Sequence, residues 1–437
     1  MEKVSEEGLV RGIRRWDLVA ITINGIIGAG IFGLPSDVFA RIGSYSLIAF
    51  VACALVVTLI ILCFAEVGSR FNETGGPYLY AREAFGQTVG FEVGWLIWLA
   101  RLTAFAANCN LLVSYLGYFW SGAMASWSRA VIIIVVVASL ASLNIIGVRR
   151  ATIASNVFTI GKLVPLLIFV AVGLFFLNPQ NYSFATEPAY TPFSQSVLKL
   201  IYAFTGFEMA AIPAGEVRDP QKHLPVALII AIVVVALLYV LIQLVCIGTL
   251  PELAASQRPL ADSATRFMGQ AGGALISAGA LISITGNLNI ILLSGSRVPF
   301  AMAEQNQLPS FLARVHPRFF TPYVSILVSA SLMLLLTLKS SFLAALTISA
   351  IARLLTYAAT CAALPVLRRR KNSPPAMFRL PGGTAAAIAS LALAVWLLSN
   401  STLSEARNAA GAALAGLIIY FVYRLVQRKS KPHPSSA

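Results

Sequence analysis

Long apolar runs separated by short polar segments make up most of the chain. A helix needs roughly 20 apolar residues to cross a bilayer, and about twelve runs approach that length. They occupy residues 17–40, 45–68, 91–119, 130–147, 152–177, 195–213, 225–248, 272–300, 322–338, 342–367, 384–399 and 408–427. The gaps between them are too short for a soluble domain. The pattern therefore predicts an all-α polytopic membrane protein with about twelve transmembrane helices.

The first run is rich in glycine near its middle, with Gly25, Gly28, Gly30 and Gly33 in close succession. Each glycine costs a helix about 1 kcal/mol relative to alanine, so this density indicates an intended break. Residues 28–33 also match Gly-x-Gly-x-x-Gly, but a dinucleotide site requires a preceding strand and a βαβ unit that the sequence lacks. Close packing against another helix is an alternative. An unwound, ligand-binding segment is the interpretation that we favour.

The sixth run is interrupted in a similar way. Gly206 and Glu208 lie in the middle of a short apolar stretch that continues to Pro213. Discontinuous first and sixth helices are typical of transporters built from two five-helix repeats. In such proteins half-helix N-termini face an anionic group and unwound carbonyls face a cation, so a zwitterion is the natural ligand.

Four local motifs occur in the order and spacing of a known family. They lie at residues 25–32, 73–78, 204–208 and 216–222, the last followed by Pro225. In these motifs the chain resembles the amino acid–polyamine–organocation (APC) superfamily of amino-acid permeases, over nearly its whole length. The resemblance implies a five-plus-five inverted repeat with discontinuous helices one and six, plus two peripheral helices. Its segments are a cytoplasmic segment at 1–16, the repeats at 17–177 and 195–367, the peripheral helices at 384–427 and a cytoplasmic tail at 428–437.

The resemblance also implies a substrate site at the two breaks. Main-chain groups of the first break and carbonyls near the sixth-helix break are expected to bind the substrate's carboxylate and amine. The sixth-helix aromatic residues resemble those that occlude the substrate in this family, although ordinary helix packing would also explain them. The expected substrate-binding residues are Ile26, Gly28, Ala29, Gly30, Tyr202, Phe204, Thr205, Gly206 and Phe207.

Lys162 lies about ten residues into the fifth run, about 15 Å along a helix, too deep for its ammonium to reach an interface easily. Burial favours the neutral amine, so Lys162 is a candidate for proton coupling. In the family resemblance it falls where proton-coupled permeases place a lysine and where sodium-coupled relatives bind sodium. A fixed positive charge that hydrogen-bonds the unwound first helix is the alternative.

Arg101, Glu208 and Arg353 are further charged residues that fall well inside predicted spans, away from the span ends. Arginine keeps its proton in proteins, so neither arginine carries protons. Arg101 could contact a substrate carboxylate, although pairing with Glu208 or with backbone carbonyls is the simpler expectation. Glu208 is expected to support the sixth-helix break through hydrogen bonds, with direct binding of a substrate ammonium as the alternative. Arg101 and Glu208 are therefore taken as supporting residues.

The net charge of +15 is first a signal of orientation. Of 32 Lys and Arg residues, 22 fall on the side of the two termini and seven on the opposite side. By the positive-inside rule, both termini are cytoplasmic and the protein is integral to the plasma membrane, the cytoplasmic membrane in a bacterium. The basic residues therefore do not indicate nucleic acid, and a patch for anionic headgroups of the membrane lipids is a secondary interpretation.

Other composition features narrow the function. The five cysteines lie in apolar runs and the three histidines in polar segments, which argues against metal sites, His-based catalysis and bound cofactors. No ATP-binding motif is present. The sequence therefore predicts a non-enzymatic secondary transporter of amino acids or related amines, with a neutral substrate, alternating access and proton symport. Proton-independent exchange is the alternative, and a channel or membrane receptor is the rival of a different class.

Overall fold

The computed structural model describes residues 13–72, 75–146, 148–211 and 217–430, with side chains described outside 148–160 and 426–430. Helices make up almost all of this part of the chain, and a single isolated bridge between Ile13 and Val217 is the only β pairing within it. The helices are α1 (Arg15–Ile26), α2 (Gly30–Ile42), α3 (Ser46–Gly68), α4 (Pro77–Phe85), α5 (Gln87–Leu116), α6 (Ser126–Ile146), α7 (Val148–Gly173), α8 (Tyr190–Phe204), α9 (Pro220–Thr249), α10 (Pro259–Glu304), α11 (Tyr323–Lys339), α12 (Phe342–Arg369), α13 (Gly383–Ser399) and α14 (Leu403–Ser430).

Every predicted apolar run coincides with a helix or with a pair of helices. Seven helical segments in the described residues are long and apolar enough to cross a membrane, and three apolar helices are shorter. The chain is an all-α polytopic membrane protein. The first run forms two helices, α1 and α2, and the sixth ends early in α8. The short helix α4 is an element that the apolar pattern did not predict, because it lies in a polar connection.

Prolines mark where several helices begin. Pro77, Pro220 and Pro259 each occupy the first turn of a helix, where the missing N–H would have no partner anyway. Within α10 the backbone at Gly269 has a φ of +69°, so this element consists of two helices that meet at a kink.

The core surrounds the two interrupted helices. Helix α5 packs against α10 and α12, α3 packs against α9, and α1 packs against α9. Helix α14 lies against α5, where the Trp95 indole N–H donates to the carbonyl oxygen of Ala412 at 2.8 Å. Much of the outer surface of α14 is apolar and exposed, including Leu414, Ile418 and Val422, as expected for a helix facing lipid.

Candidate functional site

The first helix break lies at residues 27–29. Helix α1 ends at Ile26, Ile27 has a non-helical ψ of 89°, and α2 begins at Gly30. A helix end leaves carbonyl oxygens without their usual N–H partners. Lys162 of α7 supplies partners here, because its Nζ donates to the carbonyl oxygens of Asn24 at 2.6 Å and Ile27 at 2.7 Å. Lys162 is 2% exposed.

The second break follows α8. Thr205 is extended, Gly206 has a φ of +110° and a 3-10 turn covers Phe207–Ala210. This φ belongs to the region that glycine occupies without steric cost. The Thr205 hydroxyl donates to the carbonyl oxygen of Tyr202 at 2.8 Å, and the Gly206 N–H donates to Glu208 Oε2 at 2.9 Å.

The two breaks lie directly against each other. A Cβ atom at Gly25 would lie 2.8 Å from the Gly206 carbonyl oxygen, and one at Gly30 would lie 2.7 Å from Ala203 Cα. Neither distance is tolerated between non-bonded atoms. The Tyr239 hydroxyl lies 3.2 Å from the carbonyl oxygens of both Ile26 and Ala203. Glycine thus allows main chain to approach main chain where both helices are interrupted.

A buried ionic cluster adjoins the second break. Glu208 Oε1 accepts from Arg101 at 3.3 Å and also from Arg353, while Glu208 Oε2 accepts from the Tyr357 hydroxyl at 2.7 Å. Arg101 is 2% exposed, and Arg353 and Glu208 are each 5% exposed. The cluster joins α5 and α12 to the segment after α8. Both oxygens of Glu208 are engaged.

A central cavity of about 20 Å³ lies between the breaks and this cluster. One water molecule needs about 10–15 Å³ of such volume, so an amino acid fits only if the surrounding helices or side chains move. The lining residues are Gly25, Ile26, Gly28, Ala29, Gly30, Arg101, Ala104, Asn108, Tyr202, Thr205, Gly206, Met209, Asn287, Ile291 and Arg353.

Seven of the expected substrate-binding residues line this cavity: Ile26, Gly28, Ala29, Gly30, Tyr202, Thr205 and Gly206. Two expected residues do not. The Phe204 ring packs edge-on against Phe50 and Tyr239, and the Phe207 ring packs against Phe64 and Tyr357. Both side chains are fully buried in these aromatic contacts.

Polar residues that the sequence analysis did not select complete the cavity wall. Asn108 donates to the Tyr202 hydroxyl at 2.6 Å, and Asn287 donates to the Asn108 side-chain oxygen at 3.2 Å. A Cβ atom at Gly28 would collide with the Asn287 amide nitrogen. Asn108 follows Arg101 by seven residues, two helical turns, so helical spacing could have placed both on one face of α5. Asn287 carried no comparable signal.

A second cavity of about 360 Å³ begins at the other side of Arg101. Its wall is mostly apolar and includes Tyr78, Ile97, Leu293 and Met302, and it reaches Arg101 and Glu208. Arg297 of α10 also lines it. We call this cavity the vestibule. Arg101 borders both the vestibule and the central cavity and therefore lies on the boundary between them.

Candidate metal ligands do not cluster in the part of the chain that the structure describes. No group of three or more His, Cys, Asp or Glu side chains is placed there to hold a metal ion. Cys53, Cys63, Cys109, Cys246 and Cys361 are buried free thiols.

Residues 13–423 match a family model described as amino acid permease. The chain belongs to the amino acid permease family. This match includes both breaks, Lys162 and the ionic cluster.

Individual relatives match this permease over most of its length. The chain is 29% identical to the serine/threonine exchanger SteT of Bacillus subtilis, over 97% of this chain and 99% of that protein. It is 26% identical to the branched-chain amino acid permease BcaP of the same organism, over 96% of this chain and 94% of that protein. It is 28% identical to cationic amino acid transporter 4 of Mus musculus, over 88% of this chain and 64% of that protein. The family and these relatives are transporters, and amino acids are their recurrent substrates.

Proposed function

We propose that this permease is a secondary active transporter that moves amino acids by alternating access and couples their uptake to protons. The observation that carries the proposal is the meeting of two interrupted helices at one buried cavity. Helix α2 starts at this cavity and α8 ends beside it. The first N–H groups of a helix attract an anion and its last carbonyls attract a cation. An α-amino acid carries both charges.

The main chain of the two breaks therefore provides the proposed binding groups. Ile26, Gly28, Ala29 and Gly30 offer backbone groups to the α-carboxylate and amine, and Thr205 and Gly206 do so from the second break. Phe204 and Phe207 act in this scheme through packing, because their rings hold the second break against α3, α9 and α12.

The ionic cluster supports a substrate without a positive side chain. Glu208 binds Arg101 and Arg353, which line the central cavity, and also Tyr357. A lysine or arginine substrate would meet two guanidinium groups and no free carboxylate, which is unfavourable in a buried site. We therefore propose a non-basic substrate, with neutral amino acids as the first class to test.

Lys162 supports the proton-coupled form of the mechanism. Its ammonium holds the carbonyls of Asn24, in the last turn of α1, and of Ile27, at the start of the first break. Hydrogen bonds from a charged donor are stronger than those from a neutral one. Loss of the proton would weaken this link and let the break change shape, which ties protonation to substrate binding. A permanently charged lysine would instead support proton-independent exchange.

We further propose that residues 17–177 and 195–367 form the two inverted repeats, with 384–427 as the peripheral pair. The termini then lie in the cytoplasm and the protein in the cytoplasmic membrane. Both proposals follow from the order of the broken helices and the distribution of basic residues.

Uptake by the purified protein in proteoliposomes tests the function. We expect saturable uptake of an amino acid, accumulation driven by an inward proton gradient, and countertransport when the vesicles are loaded with unlabelled substrate. A channel would give non-saturable flux without countertransport. Uptake that is saturable and indifferent to the proton gradient would identify an exchanger instead.

A further inference from the structure

The central cavity carries an excess of positive charge. Arg101 and Arg353 both line it, and no acidic side chain is among its lining residues, all of which the structure describes. Both arginines are almost fully buried. Buried charge is costly unless it is paired, so the charge balance of this cavity constrains what it binds.

Glu208 balances only one of the two arginines. Its Oε1 is shared between them, and its Oε2 is taken by the Tyr357 hydroxyl and the Gly206 N–H. Arg353 Nε is buried and has no hydrogen-bond partner among the described residues. Guanidinium N–H groups therefore remain for another acceptor. Lys162 adds a further cation next to the first break.

We propose that this surplus binds the side-chain carboxylate of an acidic amino acid, aspartate or glutamate. The inference rests on the proposed function: the α-carboxylate and amine occupy the helix breaks, and the second carboxylate reaches Arg101 and Arg353. It extends the substrate range from neutral to acidic amino acids. The planar guanidinium group of arginine offers paired N–H donors that match a carboxylate in geometry as well as in charge.

The vestibule is consistent with passage of an anion. Its charged residues are Arg101, Glu208 and Arg297, so it too has a net positive charge. Arg297 donates to the carbonyl oxygen of Leu293 at 2.6 Å. Because a carbonyl group is uncharged, this hydrogen bond does not neutralise the positive charge of Arg297. A carboxylate moving through the vestibule would meet first one guanidinium and then the next.

Pairs of substrates with the same shape and different charge test the proposal. Each of the twenty common amino acids is added to the purified protein at pH 7, and the resulting rise in melting temperature gives its relative affinity. We expect aspartate to bind about tenfold more tightly than asparagine, and glutamate about tenfold more tightly than glutamine. This difference is about what one hydrogen bond to a charged group contributes. Competition against uptake in proteoliposomes should give the same order.

The failures of the two proposals are distinguishable. If neutral amino acids bind and are transported while aspartate and glutamate are ignored, the acidic-substrate inference is wrong and the transport function stands. If no amino acid binds or is transported, the proposed function itself fails.

Variants then assign the preference to the arginines. Arg101→Gln leaves Arg353 and Glu208 as a neutral pair, so the ratio of acid to amide affinity should fall about tenfold. Arg101→Lys keeps the positive charge and should therefore keep most of the preference for the acid over the amide. Arg266→Gln removes an exposed guanidinium that pairs with Glu252 and should leave the ratio unchanged.

A merely structural role for Arg101 would lower both affinities alike, so an unchanged ratio in Arg101→Gln overturns the assignment. Arg353→Gln leaves Arg101 paired with Glu208 and provides the same measurement if Arg101→Gln does not fold. The wild-type ratio decides the substrate class independently of both variants.

Discussion

Lys162 shows how one side chain can stabilise an interrupted helix. Its Nζ replaces N–H donors for the carbonyls of Asn24 and Ile27, which would otherwise lie buried and unpaired at a cost of about 1–3 kcal/mol each. The sequence predicted the depth of this lysine and its neighbourhood, because a buried charge in a membrane span needs a partner. Which carbonyls it reaches depends on packing between α1 and α7.

Lys162→Ala is expected to abolish the acceleration of uptake by an inward proton gradient, because the variant lacks the group that gains and loses the proton. Exchange of substrate without a gradient should survive in protein that folds. Proteoliposomes with and without an imposed pH difference measure both. The matched control is Lys339→Ala, at an exposed position at the end of α11.

Full proton-driven uptake in Lys162→Ala vesicles would leave Lys162 as a permanent structural cation. Dependence on sodium would point instead to hydroxyl groups of α10, such as those of Ser283 and Thr285, together with carbonyls of the first break.

Gly28 limits the central cavity from the side of the first break. Gly28→Val should lower substrate affinity at least about tenfold, because its side chain would occupy the space of the Asn287 amide and of the substrate. The change in melting temperature on adding substrate measures this affinity. Gly411→Val is the control, since a Cβ atom at Gly411 meets nothing within 4 Å. Unchanged affinity in Gly28→Val would place the substrate elsewhere.

At the scale of elements, the connection after α12 is fixed to the end of α3 by one carboxylate. Glu66 is fully buried and accepts from Arg368 at 2.6 and 2.7 Å and from the Leu380 N–H at 2.9 Å. Arg70 lies 3.4 Å from the same carboxylate. This cluster positions α13 against α3 and α12. The apolar pattern predicted these helices but not the ionic cluster, because Glu66 and Arg368 are 302 residues apart in the sequence.

Glu66→Gln should lower the free energy of unfolding by about 3 kcal/mol, because it leaves two arginines without their carboxylate in a buried setting. Denaturant unfolding of the protein in detergent micelles measures the loss. Glu252→Gln removes one member of an exposed pair and should cost less than about 1 kcal/mol. Equal losses in the two variants would contradict the structural role of Glu66.

Helix breaks were more predictable than the walls around them. Clustered glycine in the first span and Gly206 with Glu208 in the sixth marked both interruptions, because glycine and a buried charge are each unfavourable in a membrane helix. Asn108, Asn287 and the position of Arg353 in the cavity were not predicted, since each depends on how separate helices rotate about their axes. For the same reason Phe204 and Phe207 were placed near the break while the direction of their rings was not.

On the scale of the whole molecule, the lengths of the apolar runs predicted the membrane fold, and the asymmetry of basic residues supplies the proposed orientation. The pattern of apolar runs predicted a membrane protein and located the helices to within several residues. The kink at Gly269 and the short helix α4 were beyond that pattern, because neither changes the apolar content of a span.

The proposed topology places the loop before α13 inside the cell and the loop before α14 outside. Cysteines introduced at the exposed residues Met377 and Thr402 test this, and the buried native cysteines provide a low background. An impermeant maleimide should label Thr402→Cys in intact cells, and Met377→Cys only after permeabilisation. The reverse pattern would invert the proposed orientation.

The small central cavity also affects how binding strength should be interpreted. With about 20 Å³ available, the conformation described here must give way to a more open one before a substrate fits. The measured dissociation constant then equals the intrinsic value divided by the fraction of protein in the open form. A mutation far from the cavity that favours opening would therefore tighten binding without adding a contact, and a tenfold gain in affinity need not identify a residue that touches the substrate.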